Sequence, residues 1–184
     1  MYKLIKSFIN LFLLKTKPED IIYSKLLLVF LIVTDFIVNY GSSVIGIKIF
    51  NLVNKKNITF SIPTATQSLL VLFILFLVLW TLVYGVLALY NKTNRFVQVL
   101  TSLVAVDILL RLLIIACMAL LQYAPFLGTI LLIPLMYWEF VLYIFIFANS
   151  FNFNYFRAGI FSLVYMLLQN SLGELLVNYI CNYN

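Results

Sequence analysis

Five charged residues stand where a chain this apolar has least use for them. Asp35, Asp107, Arg111, Glu139 and Glu174 each fall inside a long hydrophobic run. A carboxylate or guanidinium at the centre of a membrane helix costs about 2.5 to 3.5 kcal/mol on insertion scales, so such groups face protein or enclosed water and need partners. Asp107 and Arg111 are four residues apart with the acid first, the favoured order for a same-face pair one helical turn apart. The spacing predicts that they pair with each other. Four acids around one guanidinium cannot all be comfortably ionised, and the set has two possible uses. It can relay protons or cations, or it can bond neighbouring helices through Asn39, Tyr143, Asn170 and Arg111 and so fix the register of a bundle. The structural use is preferred, because the sequence carries neither a Gly-rich broken span nor an inverted repeat.

Other chemistries lack their parts. Histidine is absent, which removes the commonest general base and metal ligand. No activated nucleophile, metal cluster or phosphate loop can be named, so neither an enzyme nor a cofactor is expected. Cys117 and Cys181 make no disulfide framework and read as buried or free thiols. Trp80 and Trp138 lie deep in apolar runs rather than at their ends; packing explains them before a ligand slot does.

The elements that must hold these groups follow from composition. Over 184 residues the chain is 65% hydrophobic and 10% charged, with a mean hydropathy of +1.11, far too apolar for a soluble domain. An all-α polytopic membrane helix bundle is expected, as one domain over 18–184 with five transmembrane helices at about 26–47, 68–90, 96–122, 127–148 and 158–180. A basic leader over 1–17 precedes it. There Lys3, Lys6, Ser7 and Asn10 recur at helical spacing against a wider face of Leu4, Ile5, Phe8, Leu11, Phe12 and Leu14. That pattern predicts an N-terminal amphipathic helix in the headgroup plane, with Lys3, Lys6, Lys15 and Lys17 at the membrane surface and lipid as a partner. The leader's apolar run is short and lacks a cleavage site, so it reads as retained rather than as a signal peptide.

Thr16-Lys17-Pro18-Glu19 has the spacing of a capping box and predicts a helix starting there. In the first span Asp35, Asn39, Ser42 and Gly46 form a polar and small stripe that should face the bundle. The second span carries no charge and should meet the most lipid. The third shows two polar faces, Gln98, Thr101, Ser102, Ala105, Ala116 and Ala119 on one side and Asp107 with Arg111 nearly opposite. A helix that needs shelter on both sides belongs at the centre of a bundle or an oligomer. In the fourth, Pro134 predicts a kink and Tyr143 lies one turn from Glu139. Glu174 sits nearer the end of the fifth and should be the least buried of the acids.

The net charge of +6 does not indicate nucleic acid, since the basic residues gather at the N-terminus and in short loops, where positive charge sets orientation. Lys3, Lys6, Lys15, Lys17, Lys25, Lys92, Arg95 and Arg157 fall on the N-terminal side, against Lys48, Lys55 and Lys56 on the other. The count places the N-terminus in the cytoplasm and the C-terminus outside. Asn57-Ile58-Thr59 and Asn91-Lys92-Thr93 are formal glycosylation sequons of little weight.

Three stretches carry a family resemblance: Leu13-Leu14-Lys15-Thr16-Lys17-Pro18-Glu19-Asp20-Ile21, then Arg95-Phe96-Val97-Gln98-Val99-Leu100-Thr101-Ser102-Leu103, then Trp138 with Ala148, Arg157 and Gly159. In these the chain resembles small gammaproteobacterial inner-membrane proteins of the broad Yip-type family, whose eukaryotic members are five-span proteins that interact with Rab GTPases. The resemblance implies five spans, a cytoplasmic N-terminus and a bacterial inner membrane with the C-terminus periplasmic, and no established activity for the bacterial members. Asp107 with Arg111 does not map onto the family pattern. The function expected is a non-catalytic scaffold, assembly factor or partner-binding subunit, working with other membrane proteins or as a homo-oligomer; the alternative is a small transporter or lipid-handling protein using the intramembrane carboxylates.

Overall fold

The computed structural model describes residues 2–21, 23–53 and 62–181. Residues 54–61, which hold Lys55, Lys56 and the Asn57 sequon, lie outside them, as does the side chain of Cys181. The described residues form an all-α bundle of six helices: α1 (Tyr2–Phe12), α2 (Lys25–Val53), α3 (Ala65–Leu89), α4 (Phe96–Tyr123), α5 (Pro125–Phe151) and α6 (Tyr155–Cys181). Five of these, α2 to α6, are long and apolar enough to cross a membrane. Each overruns its expected span by a residue or more at one or both ends, because the polar flanks continue the helix past the apolar run.

Helix ends follow local chemistry. The Ser24 hydroxyl accepts from the Leu27 amide at 3.0 Å and starts α2. Thr64 and Gln67 form a reciprocal capping box at the start of α3. Asn152 takes a left-handed conformation, φ 56°, that closes α5. Leu14 does the same after α1 at φ 58°, a conformation that costs a non-glycine residue about 1 to 2 kcal/mol; its side chain packs against the core in return.

The expected capping box at Thr16 does not form. Pro18–Asp20 makes a single 3-10 turn with no side-chain cap, and α2 starts at Lys25. The Thr16 hydroxyl turns to the Ser7 carbonyl at 3.5 Å, while Glu19 meets Arg95 at 3.5 Å and Lys17 at 3.8 Å. Both halves of the box are thus engaged elsewhere.

Helix α4 is the centre. In its apolar window 39% is buried, against 11 to 22% for the other four spans, and every residue from Gln98 to Val106 is buried. Its largest interfaces are with α2 and α5. Gly46 of α2 faces α4, where a Cβ would meet the Met118 thioether at 3.5 Å, an ordinary packing contact. Helix α3 buries one stripe, Leu72, Leu75, Leu79, Val83 and Leu87, and turns the rest outward, as a charge-free span should. Helix α1 lays Phe8 and Leu11 on the bundle and leaves Lys3 and Lys6 exposed, with Lys15 and Lys17 exposed just beyond it. Helix α5 runs through Pro134.

The turn between α4 and α5 is tight. A Cβ on Gly128 would fall 2.5 Å from Leu121 Cγ and 2.9 Å from the Leu121 amide nitrogen, whereas one on Gly85 meets nothing within 4 Å. Gly128→Ala should therefore destabilise the bundle by about 1 to 3 kcal/mol, and Gly85→Ala should be neutral or mildly stabilising. Unfolding titrations in mixed detergent read both, and equal effects would contradict the close approach.

Candidate functional site

The intramembrane charges are brought together from three helices, but not in the pairing their spacing predicts. Arg111 reaches across to α2, where its Nε lies 3.9 Å from Asp35 Oδ1. Among the described residues it makes no ion pair with Asp107. Asp107 turns towards α5 instead and accepts a 2.6 Å hydrogen bond from the Tyr143 hydroxyl. The reason is competition. A short bond from a buried hydroxyl holds the aspartate on the α5 side, while the longer arginine stem can reach the acid that α2 presents.

Tyr143 is the hub. It is fully buried, and besides Asp107 its hydroxyl lies 3.3 Å from Glu139 Oε1 and 3.5 Å from Gln169 Oε1. A phenol has one proton to donate, which the 2.6 Å contact takes, so the other two contacts are longer. Two acids from α4 and α5 and an amide from α6 thus share one oxygen. Its ring stacks edge-on against Tyr165 of α6 at 5.3 Å. Towards the start of α6 the interior is filled by Phe147, Phe151 and Phe161, with ring centroids 4.7 to 5.4 Å apart.

Asp35 is 2% exposed, yet at 3.9 Å its contact with Arg111 is an ion pair without a hydrogen bond: Asp35 Oδ1 and Arg111 Nε both lack one. Asn39 and Asn170, expected to bond the acids, do not do so among the described residues; the Asn39 carbonyl accepts from Ser42 and Ser43 instead. Glu174 is exposed and outside the Tyr143 cluster, the outcome its place near the end of the span foretold. These three residues line a different feature, a cleft of about 300 Å³ between α2, α3 and α6 with Arg111 in its wall.

A second set of polar contacts ties the leader to the bundle, and spacing could not have revealed it. The Gln98 amide donates to the Pro18 carbonyl at 3.0 Å, and the Trp138 indole donates to the Phe12 carbonyl at 3.2 Å. The depth of Trp138 in its run is explained by that bond and by its 6.4 Å contact with Phe12; Trp80 stacks on Phe76 at 5.1 Å. Lys92 and Arg95 donate to the Phe151 and Asn149 carbonyls. Cations at a helix C-terminus satisfy orphan carbonyls and the dipole together. Burial against α5 and then Arg95 pull the Lys92 pKa below its ordinary value, and Glu19 partly offsets them.

Cys117 is a free buried thiol, and no group of three metal-ligating side chains occurs among the described residues. The five apolar helices define a multi-pass membrane protein. Compared with protein-family models, curated proteins and solved structures, the chain matches none of them.

Tyr143→Phe should cost about 1 to 3 kcal/mol, because it strips the donor from a sheltered carboxylate. The exposed Tyr137→Phe should change stability by less than about 0.5 kcal/mol. Detergent unfolding of the two variants side by side checks the hub, which fails if they behave alike.

Proposed function

We propose that the protein is a non-catalytic protein of a bacterial inner membrane, acting as a scaffold, assembly factor or partner-binding subunit of a membrane complex. The observation that most supports this reading is that four of the five intramembrane charged groups gather in one cluster between helices. Asp35, Arg111, Asp107, Glu139 and Tyr143 link α2, α4 and α5, and rings of Tyr143, Phe147, Phe151, Phe161 and Tyr165 pack on one side of it. Such an arrangement fixes register, with aromatic rings covering one side of it. In liposomes the protein should support no pH-driven ion flux. Asp35→Asn, Asp107→Asn and Glu139→Gln should remain inserted and folded. A flux present in the wild type and lost in those variants would overturn the scaffold in favour of the second reading, a small transporter or lipid-handling protein. One observation favours that second reading: the polar cleft that reaches Arg111.

Membership of the Yip-type family belongs to the same proposal. Its support is that the resembling stretches meet in space: Glu19 with Arg95, Pro18 with Gln98, and Trp138 with the residue just before the first stretch. The orientation proposed, N-terminus cytoplasmic and C-terminus periplasmic, rests on the loop charges. It gains support from Lys17, Lys92 and Arg95 gathering at the end where α5 finishes and α4 starts. A reporter active only in the periplasm should be active when fused at the C-terminus. Activity only from a cytoplasmic reporter would reverse the topology.

A further inference from the structure

The cleft between α2, α3 and α6 has a lining that the register-fixing role of the charges does not explain. Among the described residues its charged lining groups are Arg111 and Glu174, set among the polar side chains of Asn39, Ser43, Ser68 and Gln169. Arg111 donates no hydrogen bond to another described residue, and its Nε is buried without one. The 28% of its side chain that stays exposed opens on this cleft. A guanidinium is a planar fork suited to carboxylate or phosphate oxygens, so a cleft wall carrying one with donors to spare is shaped for an anionic group.

The surroundings narrow the choice. Asp35 lies 3.9 Å behind the guanidinium, and its negative field works against a multiply charged anion. Arg111 itself works against a simple cation. An apolar guest would desolvate the Asn39 and Asn170 amides and the Ser68 hydroxyl of the wall, at a cost of about 1 to 3 kcal/mol for each one left unpaired. What remains is a molecule with both charges, its anionic end on Arg111 and its ammonium on Glu174. A volume of about 300 Å³ is at the small end of ligand sites. We propose that this cleft binds a small zwitterion, a carboxylate or phosphate joined to an ammonium, as in a free amino acid or an ethanolamine lipid headgroup. The site is independent of the scaffold reading, since a subunit that conducts nothing can still hold a ligand.

The test uses the full chain in detergent, with binding read as a shift in unfolding temperature over a concentration series. The probes are L-glutamine, glycerophosphoethanolamine, sodium acetate and ethylammonium chloride. Either zwitterion should stabilise the protein at a concentration at least tenfold below that at which acetate or ethylammonium does. Stabilisation by glutamine alone identifies a free solute, and stabilisation by glycerophosphoethanolamine alone identifies the headgroup; both outcomes support the site. Gly173 lines the cleft, and a Cβ there meets nothing within 4 Å, so Gly173→Leu should fill the space without disturbing the backbone. That variant and Glu174→Gln should each weaken zwitterion binding at least tenfold. Arg111→Lys should weaken it too, and the two other variants keep the test decisive if Arg111→Lys fails to fold. No stabilisation by either zwitterion, equal stabilisation by acetate or ethylammonium, or undiminished binding in Gly173→Leu would overturn the proposal. Flux measurements do not enter, so its failure and that of the scaffold are read separately.

Discussion

The constraint on which the bundle depends is that its ionisable groups must not meet acyl chains. Each would cost about 2.5 to 3.5 kcal/mol exposed at mid-membrane, and the fold meets that cost by drawing Asp35, Arg111, Asp107 and Glu139 inward from three helices. Helix α4 carries two of them on a helix flanked by α2 and α5, so it has to be central. Between helices in lipid there is little hydrophobic driving force, and association rests on close packing and polar bonds. The contacts of Arg111 with Asp35 and of Tyr143 with Asp107 therefore set the register. A slip of one turn, about 5.4 Å, would break both at once.

The other end of the same three helices is held differently. There the groups are at the bundle's rim, and the bonds run from side chains to backbone: Gln98 to Pro18, Lys92 to Phe151 and Arg95 to Asn149, while Trp138, beside Glu139 at the middle of α5, makes the same kind of bond to Phe12 at depth. Backbone carbonyls that a membrane helix cannot satisfy itself are those at its C-terminus, and α5 offers its own to the two cations of the preceding connection. The leader adds apolar cover, with Leu11 fully buried. It is thus part of the packing.

Much of this could be read from the residues alone. Apolar run length located all five spans, and the polar stripe of the first correctly placed Asp35 and Ser42 in the interior. The two-sided polarity of the third gave its central position. What could not be read was which partner wins when several are in reach. The i, i+4 rule describes one helix in water, whereas the choice between Asp35 and Asp107 for Arg111 depends on where α2 and Tyr143 stand. Gln169 gave no signal beyond being polar in a span. Thr16 and Thr64 show the same limit in the opposite sense: both begin a capping pattern, and only Thr64 completes one, since Glu19 is taken by Arg95 from the α3–α4 connection and by its own neighbour Lys17.

The two layers of the bundle are consequently not held alike. Helices α2, α4 and α5 are joined by bonds among charged and polar side chains. Helix α3 meets the bundle through a stripe of Leu and Val, and the Gln67 amide donates to the Ile180 carbonyl of α6 at 3.2 Å. In water that stripe would be driven together by about 25 cal/mol per Å² of apolar surface; against lipid only its packing contacts remain. The cleft lies along α3, between it, α6 and the fixed register of α2. Helix α6 is tied to that register as well, through Gln169, Tyr165 and Phe161 against Tyr143 and Phe147, so of the cleft's three walls it is α3 whose hold rests most on apolar packing.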